Sequence, residues 1–89
     1  MAEIDQQDRS SFRAALVQMR SGVERARNAD AALALIAEAA KGGAHFIATP
    51  EMTTAVDRDG ARLAASLPEG EGLAEVEAFS AAAADHGVW

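Results

Sequence analysis

The sequence has no cysteine and no tyrosine, and only one tryptophan and three phenylalanines among its 89 residues. Without cysteine, these residues form no disulfide, no thiolate metal site and no cysteine nucleophile. Much of the 49% hydrophobic content is alanine, which buries little area per residue. A chain this short buries only about 60–65% of its unfolded surface even when well packed. We therefore expect a core that is thin for a free-standing domain and that lacks packing partners.

Basic residues are also scarce, because eight Lys and Arg stand against fourteen Asp and Glu, giving a net charge of −6. Binding to nucleic acid needs a basic patch, so we expect no nucleic-acid partner. No apolar run approaches the roughly 20 residues of a membrane span. The first eight residues are acidic and polar, unlike a signal peptide. These features predict a cytoplasmic protein with no membrane partner.

The order of apolar runs predicts an α/β fold. Two short apolar segments flank an amphipathic helix that ends before Gly42 and Gly43, and Pro50 stops the second segment. A strand, a helix and a strand in succession predict a βαβ unit with parallel strands. The predicted elements are a polar, disordered leader (1–11), a strand (12–19), a polar connection (20–27), a helix capped by Asn28 (31–41) and a second strand (44–49).

The second half of the chain predicts turns, two helices and the start of a third strand. Turns are expected at 57–60 and 68–72, with a short helix at 61–67 between them. A longer helix at 73–86 is expected to be buried against the sheet, with a partner-binding surface as the alternative. Val88 and Trp89 then begin a strand, which would leave the sheet with an unpaired edge. The sequence therefore reads as interrupted.

The residue that best suits catalysis is Glu51, in the segment Thr49-Pro50-Glu51-Met52-Thr53. This carboxylate comes directly after the end of a predicted parallel strand, and Pro50 fixes the exit of the chain. In open α/β sheets, ligands and catalytic groups gather beyond these carboxyl ends. We expect Glu51 to face a pocket there and to act as a base. The alternative is a solvated loop glutamate, which is common.

Several segments together resemble the start of a protein of the carbon–nitrogen hydrolase, or nitrilase, superfamily. The most specific is Pro50-Glu51 after the second strand, and the resemblance extends over about residues 12–89. The other segments are Ala14-Ala15-Leu16-Val17-Gln18-Met19, Asn28, Ile36-Ala37-Glu38-Ala39-Ala40, Gly43-Ala44 and Ala84-Asp85-His86-Gly87-Val88-Trp89. The resemblance implies that residues 12–89 are the incomplete amino-terminal part of a four-layer α-β-β-α sandwich.

The resemblance also implies a mechanism that uses a glutamate, a lysine and a cysteine on a small amide or nitrile, with no cofactor and no metal. Only the glutamate maps to this chain, as the general base Glu51. Lys41, the only lysine, does not match the catalytic one, and no cysteine is present. We therefore expect the 89-residue chain alone to be inactive. The superfamily usually pairs subunits, which implies a homo-oligomer.

Other polar residues are weaker candidates. His45 and His86 lack acidic company for a metal site, and His86 suits a helix end. The segment 57–60 echoes a calcium loop, but Ser66 stands where the bidentate glutamate belongs. The segment 70–72 lacks the spacing of a phosphate-binding loop. Neither Ser66 nor Ser80 has the context of a serine nucleophile.

Two other functions stay open at this point. One is a non-catalytic remnant that acts as an interaction module through its open sheet edge. The other is an unrelated flavodoxin-like module that binds a phosphorylated ligand, which the acidic loops disfavour.

Overall fold

A computed structural model of the chain describes residues 11–66 and 74–89. The two strands lie side by side and parallel, with Ala14 opposite Phe46 and Leu16 opposite Ala48. The predicted βαβ unit is therefore confirmed, although both strands are shorter than predicted. The elements are β1 (Ala14–Leu16), α1 (Arg25–Lys41), β2 (Phe46–Ala48), α2 (Gly60–Ser66) and α3 (Ala74–His86).

Helix α1 begins earlier than the sequence predicted. It starts at Arg25, and Glu24 occupies the N-cap position without a side-chain hydrogen bond. The prediction that Asn28 caps the helix after a connection extending to residue 27 is therefore wrong. Asn28 lies within the first turns, donates its backbone N–H to Glu24 O at 3.1 Å, and is buried. A short amide side chain that can cap a helix can equally bind loop backbone groups, as it does here.

Two glycines end the long helices in the same way. Gly43 follows α1 with φ 98°, and Gly87 follows α3 with φ 64°. The next residue in each case, Ala44 or Val88, donates its N–H to the carbonyl five residues earlier, at 3.1 and 3.0 Å. This is the bond of a Schellman motif, whose left-handed residue is most often glycine. The predicted ends of both helices are confirmed.

The last residue makes the hydrogen bonds of a third parallel strand. Trp89 N donates to His45 O at 2.9 Å, and Ile47 N donates to Trp89 O at 2.8 Å. These two bonds form the ladder of a parallel neighbour on the edge of β2 that faces away from β1. The predicted start of a strand at 88–89 agrees with these contacts, so β2 lies in the middle.

Helix α3 packs differently from the prediction. None of its residues is buried, and the helix lies mainly along α1. Phe79 and Ala83 reach towards the sheet, where they line a cavity of about 170 Å³ together with Ile36 and Ile47. The prediction of a helix buried against the sheet is wrong, because α3 packs mainly on α1 and the cavity separates its apolar side chains from the sheet.

The core of the described residues is thin, as predicted. Its buried apolar residues are Ala32, Ile36, Ala44 and Ala55. Three of these four are alanines, so little apolar area is removed from water.

No element of the described residues covers the opposite face of the sheet. Alternation along the strands puts Leu16 and Phe46 on one side, and Trp89 extends this side because it pairs beside Phe46. Phe12, Leu16, Phe46 and Trp89 are 60%, 79%, 43% and 79% exposed. The rings of Phe12 and Phe46 meet edge-on, with centroids 6.3 Å apart. We call these four residues the open face.

Some of the remaining predictions fall on described residues, and others fall on residues outside them. The predicted short helix at 61–67 matches α2, with Leu67 outside the described residues. Most of the predicted leader, the turn at 68–72 and Leu73 also lie outside them. A second sheet is not found in 11–66 or 74–89, so the four-layer sandwich stays a prediction. No helix in these two ranges combines the length and the apolar character needed to cross a membrane.

Candidate functional site at the carboxyl end of the sheet

Glu51 lies three residues beyond the end of β2, in a turn that starts after Pro50. The structure therefore places it at the carboxyl end of a parallel strand, as predicted. Its side chain is exposed to solvent. The described residues do not enclose it, so the expected pocket is not formed by them alone. Its role as a base stays a prediction.

The turn around Glu51 has an unusual backbone. Met52 has φ 57°, a left-handed conformation that is uncommon for residues other than glycine. The Thr53 hydroxyl donates to the Pro50 carbonyl and closes the turn. The proline ring also fixes its own φ. Three constraints therefore limit the backbone on both sides of Glu51, and with it the point from which the Glu51 side chain extends.

Asn28 joins this turn to the loop that follows β1. Its Oδ1 accepts from Gly22 N at 2.9 Å, and its Nδ2 donates to Gly22 O at 2.8 Å. The same nitrogen donates to Thr54 O at 2.9 Å. Asn28 is only 4% exposed, and a buried amide is costly unless it is hydrogen-bonded. The side chain thus binds both loops at once.

Two further bonds connect the same loops. Ser21 Oγ donates to Thr53 O at 2.6 Å, and Val56 N donates to Gly22 O at 3.0 Å. Ala55 is buried next to them. We call this set of contacts between 21–22, Asn28 and 53–56 the loop clamp. It holds the chain on the carboxyl-terminal side of Glu51, as β2 holds it on the other side.

Two open cavities lie at the carboxyl end of the sheet, and the first of them adjoins the loop clamp. One of about 490 Å³ is lined by residues 18–24 and by Arg27, Asn28, Ala31 and Leu35 of α1. The other, of about 470 Å³, is lined by 17–20 and Pro50. Glu51 does not line either cavity. They mark the carboxyl end of the sheet as concave, but they do not assign a ligand.

The segment 57–60 forms the predicted turn. Asp57 Oδ1 accepts from Asp59 N at 2.9 Å, and Asp59 Oδ1 accepts from Arg62 N at 3.0 Å, which caps α2. Arg62 also binds Asp57 through its guanidinium group, with Nη2 2.7 Å from Oδ1. This hydrogen bond lowers the pKa of the Asp57 carboxyl and raises the pKa of Arg62. Both carboxylates are bound by the protein itself, unlike those of a calcium loop.

A second ion pair ties α1 to α3. Arg25 Nε donates to Glu75 Oε1 at 2.8 Å, and both side chains are less than one-fifth exposed. The hydrogen bond from Arg25 holds the pKa of the Glu75 carboxyl below its usual value. The pair stabilises the packing of the helices.

The other sequence candidates lie apart from Glu51. Lys41 is the last residue of α1 and lies near the amino-terminal end of β2. Glu51 follows the carboxyl end of β2, so the two side chains are at opposite ends of the sheet. His45 lies at this amino-terminal end of the sheet, and its Nδ1 accepts a hydrogen bond from Arg13 N at 2.9 Å. His86 lies in the last turn of α3, where a positive charge suits the helix dipole.

The two candidate serines and the metal ligands add no site. Ser66 Oγ donates to Leu63 O at 2.7 Å, and Ser80 is exposed on α3. Within 11–66 and 74–89, no three His, Asp or Glu side chains gather into a possible metal site.

Sequence reasoning missed the role of Asn28. A signal was present, since Asn28, Ala32 and Ile36 follow one another at helical spacing and all three are buried in the structure. A polar amide at the start of an apolar stripe predicts a buried side chain with specific partners. The left-handed Met52 had no comparable signal, because its residue type does not favour that conformation.

Comparison with known proteins identifies the family. The family model for carbon–nitrogen hydrolases matches residues 13–89, which include every strand and helix described above. No curated protein and no solved structure matches the chain significantly. The chain belongs to the carbon–nitrogen hydrolase family, as its resemblance to the nitrilase superfamily predicted.

Proposed function

We propose that Glu51 is the general base of a carbon–nitrogen hydrolase that cleaves a small amide or nitrile through a Glu–Lys–Cys mechanism. The observation that carries this proposal is the place of the carboxylate, three residues beyond β2 in a chain of that family. Catalytic groups of parallel sheets gather at this end of the strands. The constrained turn around Glu51 supports the proposal, because strained backbone is common at functional sites.

The resemblance implies the following chemistry for an amide. A cysteine thiol gives its proton to the Glu51 carboxylate while the sulfur attacks the amide carbon. The carbon–nitrogen bond breaks, and ammonia or an amine leaves with the proton that Glu51 returns. Water attacks the resulting thioester while Glu51 takes one of its protons, the carbon–sulfur bond breaks, and Glu51 returns that proton to the sulfur, so that the acid leaves and the thiol is restored. A lysine stabilises the negative charge that develops on the oxygen.

This chain supplies one of the three groups. It has no cysteine, and its only lysine, Lys41, lies at the opposite end of the sheet. The thiol and the catalytic lysine therefore come from residues outside these 89, and we expect the chain by itself to be inactive.

The open face supports the four-layer α-β-β-α sandwich implied by the resemblance. Four large apolar side chains are exposed on it, and an apolar patch of this kind normally marks a surface that another element covers. A second sheet packed about 10 Å away would bury them. We further propose that the protein is cytoplasmic and forms a homo-oligomer.

The test of Glu51 uses the polypeptide that supplies the thiol, whether continuous with residue 89 or separate. Glu51→Gln keeps the size of the side chain but removes the base, so we expect kcat to fall by at least about 100-fold. Glu38→Gln is the matched control, because Glu38 is exposed on α1, and we expect it to leave kcat unchanged. Equal activity of the two variants would contradict the proposal.

A second candidate function is favoured by the same open face and by the outer edge of β1, which pairs with no other strand among the described residues. On this proposal, the chain is a non-catalytic remnant that binds a partner through its sheet edge. Sedimentation of the 89-residue chain separates the two functions. Two results together would favour the interaction module. The chain would form a stable assembly, and its coding sequence would supply neither a thiol nor a catalytic lysine.

A further inference from the structure

We infer that Asn28 is a positioning residue for Glu51, because its buried side chain holds together the two loops at the carboxyl end of the sheet. The catalytic consequence of this inference rests on the proposed function of Glu51. The loop clamp itself is a property of this chain and can be tested without any activity.

The side chain of Asn28 is used to near its full capacity. It has two N–H donors and one carbonyl acceptor available. The donors reach Gly22 O and Thr54 O at 2.8 and 2.9 Å, and the acceptor takes the Gly22 N–H at 2.9 Å. An aspartate has the same shape but cannot donate when ionised, and an alanine makes none of these bonds.

These bonds do not serve the helix in which Asn28 lies. The N-cap position belongs to Glu24, four residues earlier, and the backbone N–H of Asn28 already bonds to its carbonyl. Alanine and leucine are better helix formers at such a position. All the hydrogen-bond partners of the Asn28 side chain lie in loops. The buried amide therefore fixes those loops.

The clamp acts on Glu51 through a short stretch of chain. β2 ends at Ala48, and the clamp begins at Thr53, so only residues 49–52 lie between the two fixed points. Within this stretch Pro50 has a fixed φ and Met52 holds a left-handed one. Because few free backbone angles remain, the position of Thr53 and Thr54 largely decides where the Glu51 backbone lies and therefore from which point its side chain extends.

The first test is amide hydrogen exchange of the full 89-residue chain. The reporters are the amides of Gly22 and Val56, which bond across the clamp, and the amide of Val17, which bonds to Ala48 O in the sheet. In Asn28→Ala we expect Gly22 and Val56 to exchange at least about tenfold faster relative to Val17. Ile36→Val, which trims the buried face of α1, is the control and should change all three together. Equal changes at all three amides in Asn28→Ala would overturn the inference.

A second variant covers the case in which Asn28→Ala does not fold. Asn28→Asp keeps the shape, and burial raises the pKa of its new carboxyl group. Once protonated, this carboxyl group can donate a hydrogen bond to Thr54 O. The protection of the Gly22 and Val56 amides against hydrogen exchange, compared with the protein carrying Asn28, should therefore return as the pH falls. A positive φ gives a strong nuclear Overhauser signal between the amide proton and the Hα of the same residue, as expected for Met52. In Asn28→Asp this signal should be weak while the new carboxyl group is ionised and should return when it is protonated. Protection that is independent of pH would contradict the clamp.

A third test measures activity and distinguishes a positioning role of Asn28 from an effect on stability alone. In the polypeptide that supplies the thiol, a displaced Glu51 should lower kcat about 100-fold in Asn28→Asp, with KM unchanged. An open clamp with unchanged kcat would overturn the positioning role, provided that Glu51→Gln is impaired in the same assay. If Glu51→Gln is fully active, the proposed function fails, while the exchange result still decides whether the clamp exists.

Discussion

The carboxyl end of the sheet and the open face belong to the same small sheet, but within residues 11–66 and 74–89 only the carboxyl end finds its partners. At the carboxyl end, the Asn28 amide and the backbone groups of two loops find partners within the chain. On the open face, Leu16 and Trp89 are each 79% exposed, beside Phe12 and Phe46. The comparison teaches that the turn carrying Glu51 is held in place by the described residues, whereas the same residues leave the open face exposed.

The two regions also differ in the kind of energy involved. Buried hydrogen bonds contribute little net stability, but leaving one partner unsatisfied is expensive. An exposed apolar face costs nothing in folding, because it is solvated in both states, and it gains only when another surface buries it. Substitutions in the clamp should therefore damage this chain itself, and substitutions on the open face should change what the chain binds.

The largest effect is expected for Asn28→Ala. The variant leaves Gly22 and Thr54 without their side-chain partner, and we expect the free energy of unfolding to fall by about 2–3 kcal/mol. Urea denaturation followed by circular dichroism measures it. A loss below about 0.5 kcal/mol would show that water replaces the amide and that the clamp is not preformed.

A smaller effect is expected for Ile36→Val, which removes one methyl group between α1 and the sheet. We expect a loss of about 1 kcal/mol, within the usual range for this change. The same denaturation experiment measures it. A loss larger than that of Asn28→Ala would reverse the comparison, because the apolar core would then contribute more than the clamp.

The ion pair between α1 and α3 should contribute less again. Glu75→Gln is expected to lower the stability by about 0.5–1 kcal/mol at neutral pH, and Glu77→Gln, exposed on the same helix, should not. Because the pKa of Glu75 is lowered in the folded state, its contribution is full above the ordinary carboxyl pKa. It is lost as the pH falls through the folded pKa. The unchanged protein and Glu75→Gln should therefore become equally stable in acid, and a difference that persists there would contradict this sign.

The smallest effect on stability is expected on the open face. Leu16→Ser should change the free energy of unfolding by no more than about 0.5 kcal/mol, but it should weaken self-association seen by sedimentation velocity. Val23→Ser is the control, since Val23 is an exposed apolar residue outside the open face. Equal association of both variants would show that the open face is not the contact surface.

Local sequence patterns predicted much of the fold. Gly43 and Gly87 ended their helices because a left-handed residue is needed there, and Pro50 ended β2 because it cannot extend a ladder. The parallel pairing followed from the strand–helix–strand order. These features depend on neighbours in sequence, so one sequence is enough to predict them.

The errors came from contacts that local patterns do not encode. Asn28 suits a helix cap and a buried clamp equally well, and only its distance from Gly22 and Thr54 decides between them. The place of α3 depends on its packing along α1, which joins residues far apart in the sequence. The place of Glu51 after β2 followed from local sequence, but the described residues alone do not form the predicted pocket around it.

The most direct test of the central claim is a crystal structure of residues 1–89 together with the polypeptide that supplies the thiol. The distance to measure joins the Glu51 carboxylate oxygens to the thiol sulfur. The account predicts hydrogen-bond reach, about 3–4 Å or one bridging water, with the loop clamp intact and the open face covered. A Glu51 that still points into solvent, well beyond the reach of the thiol, would contradict it.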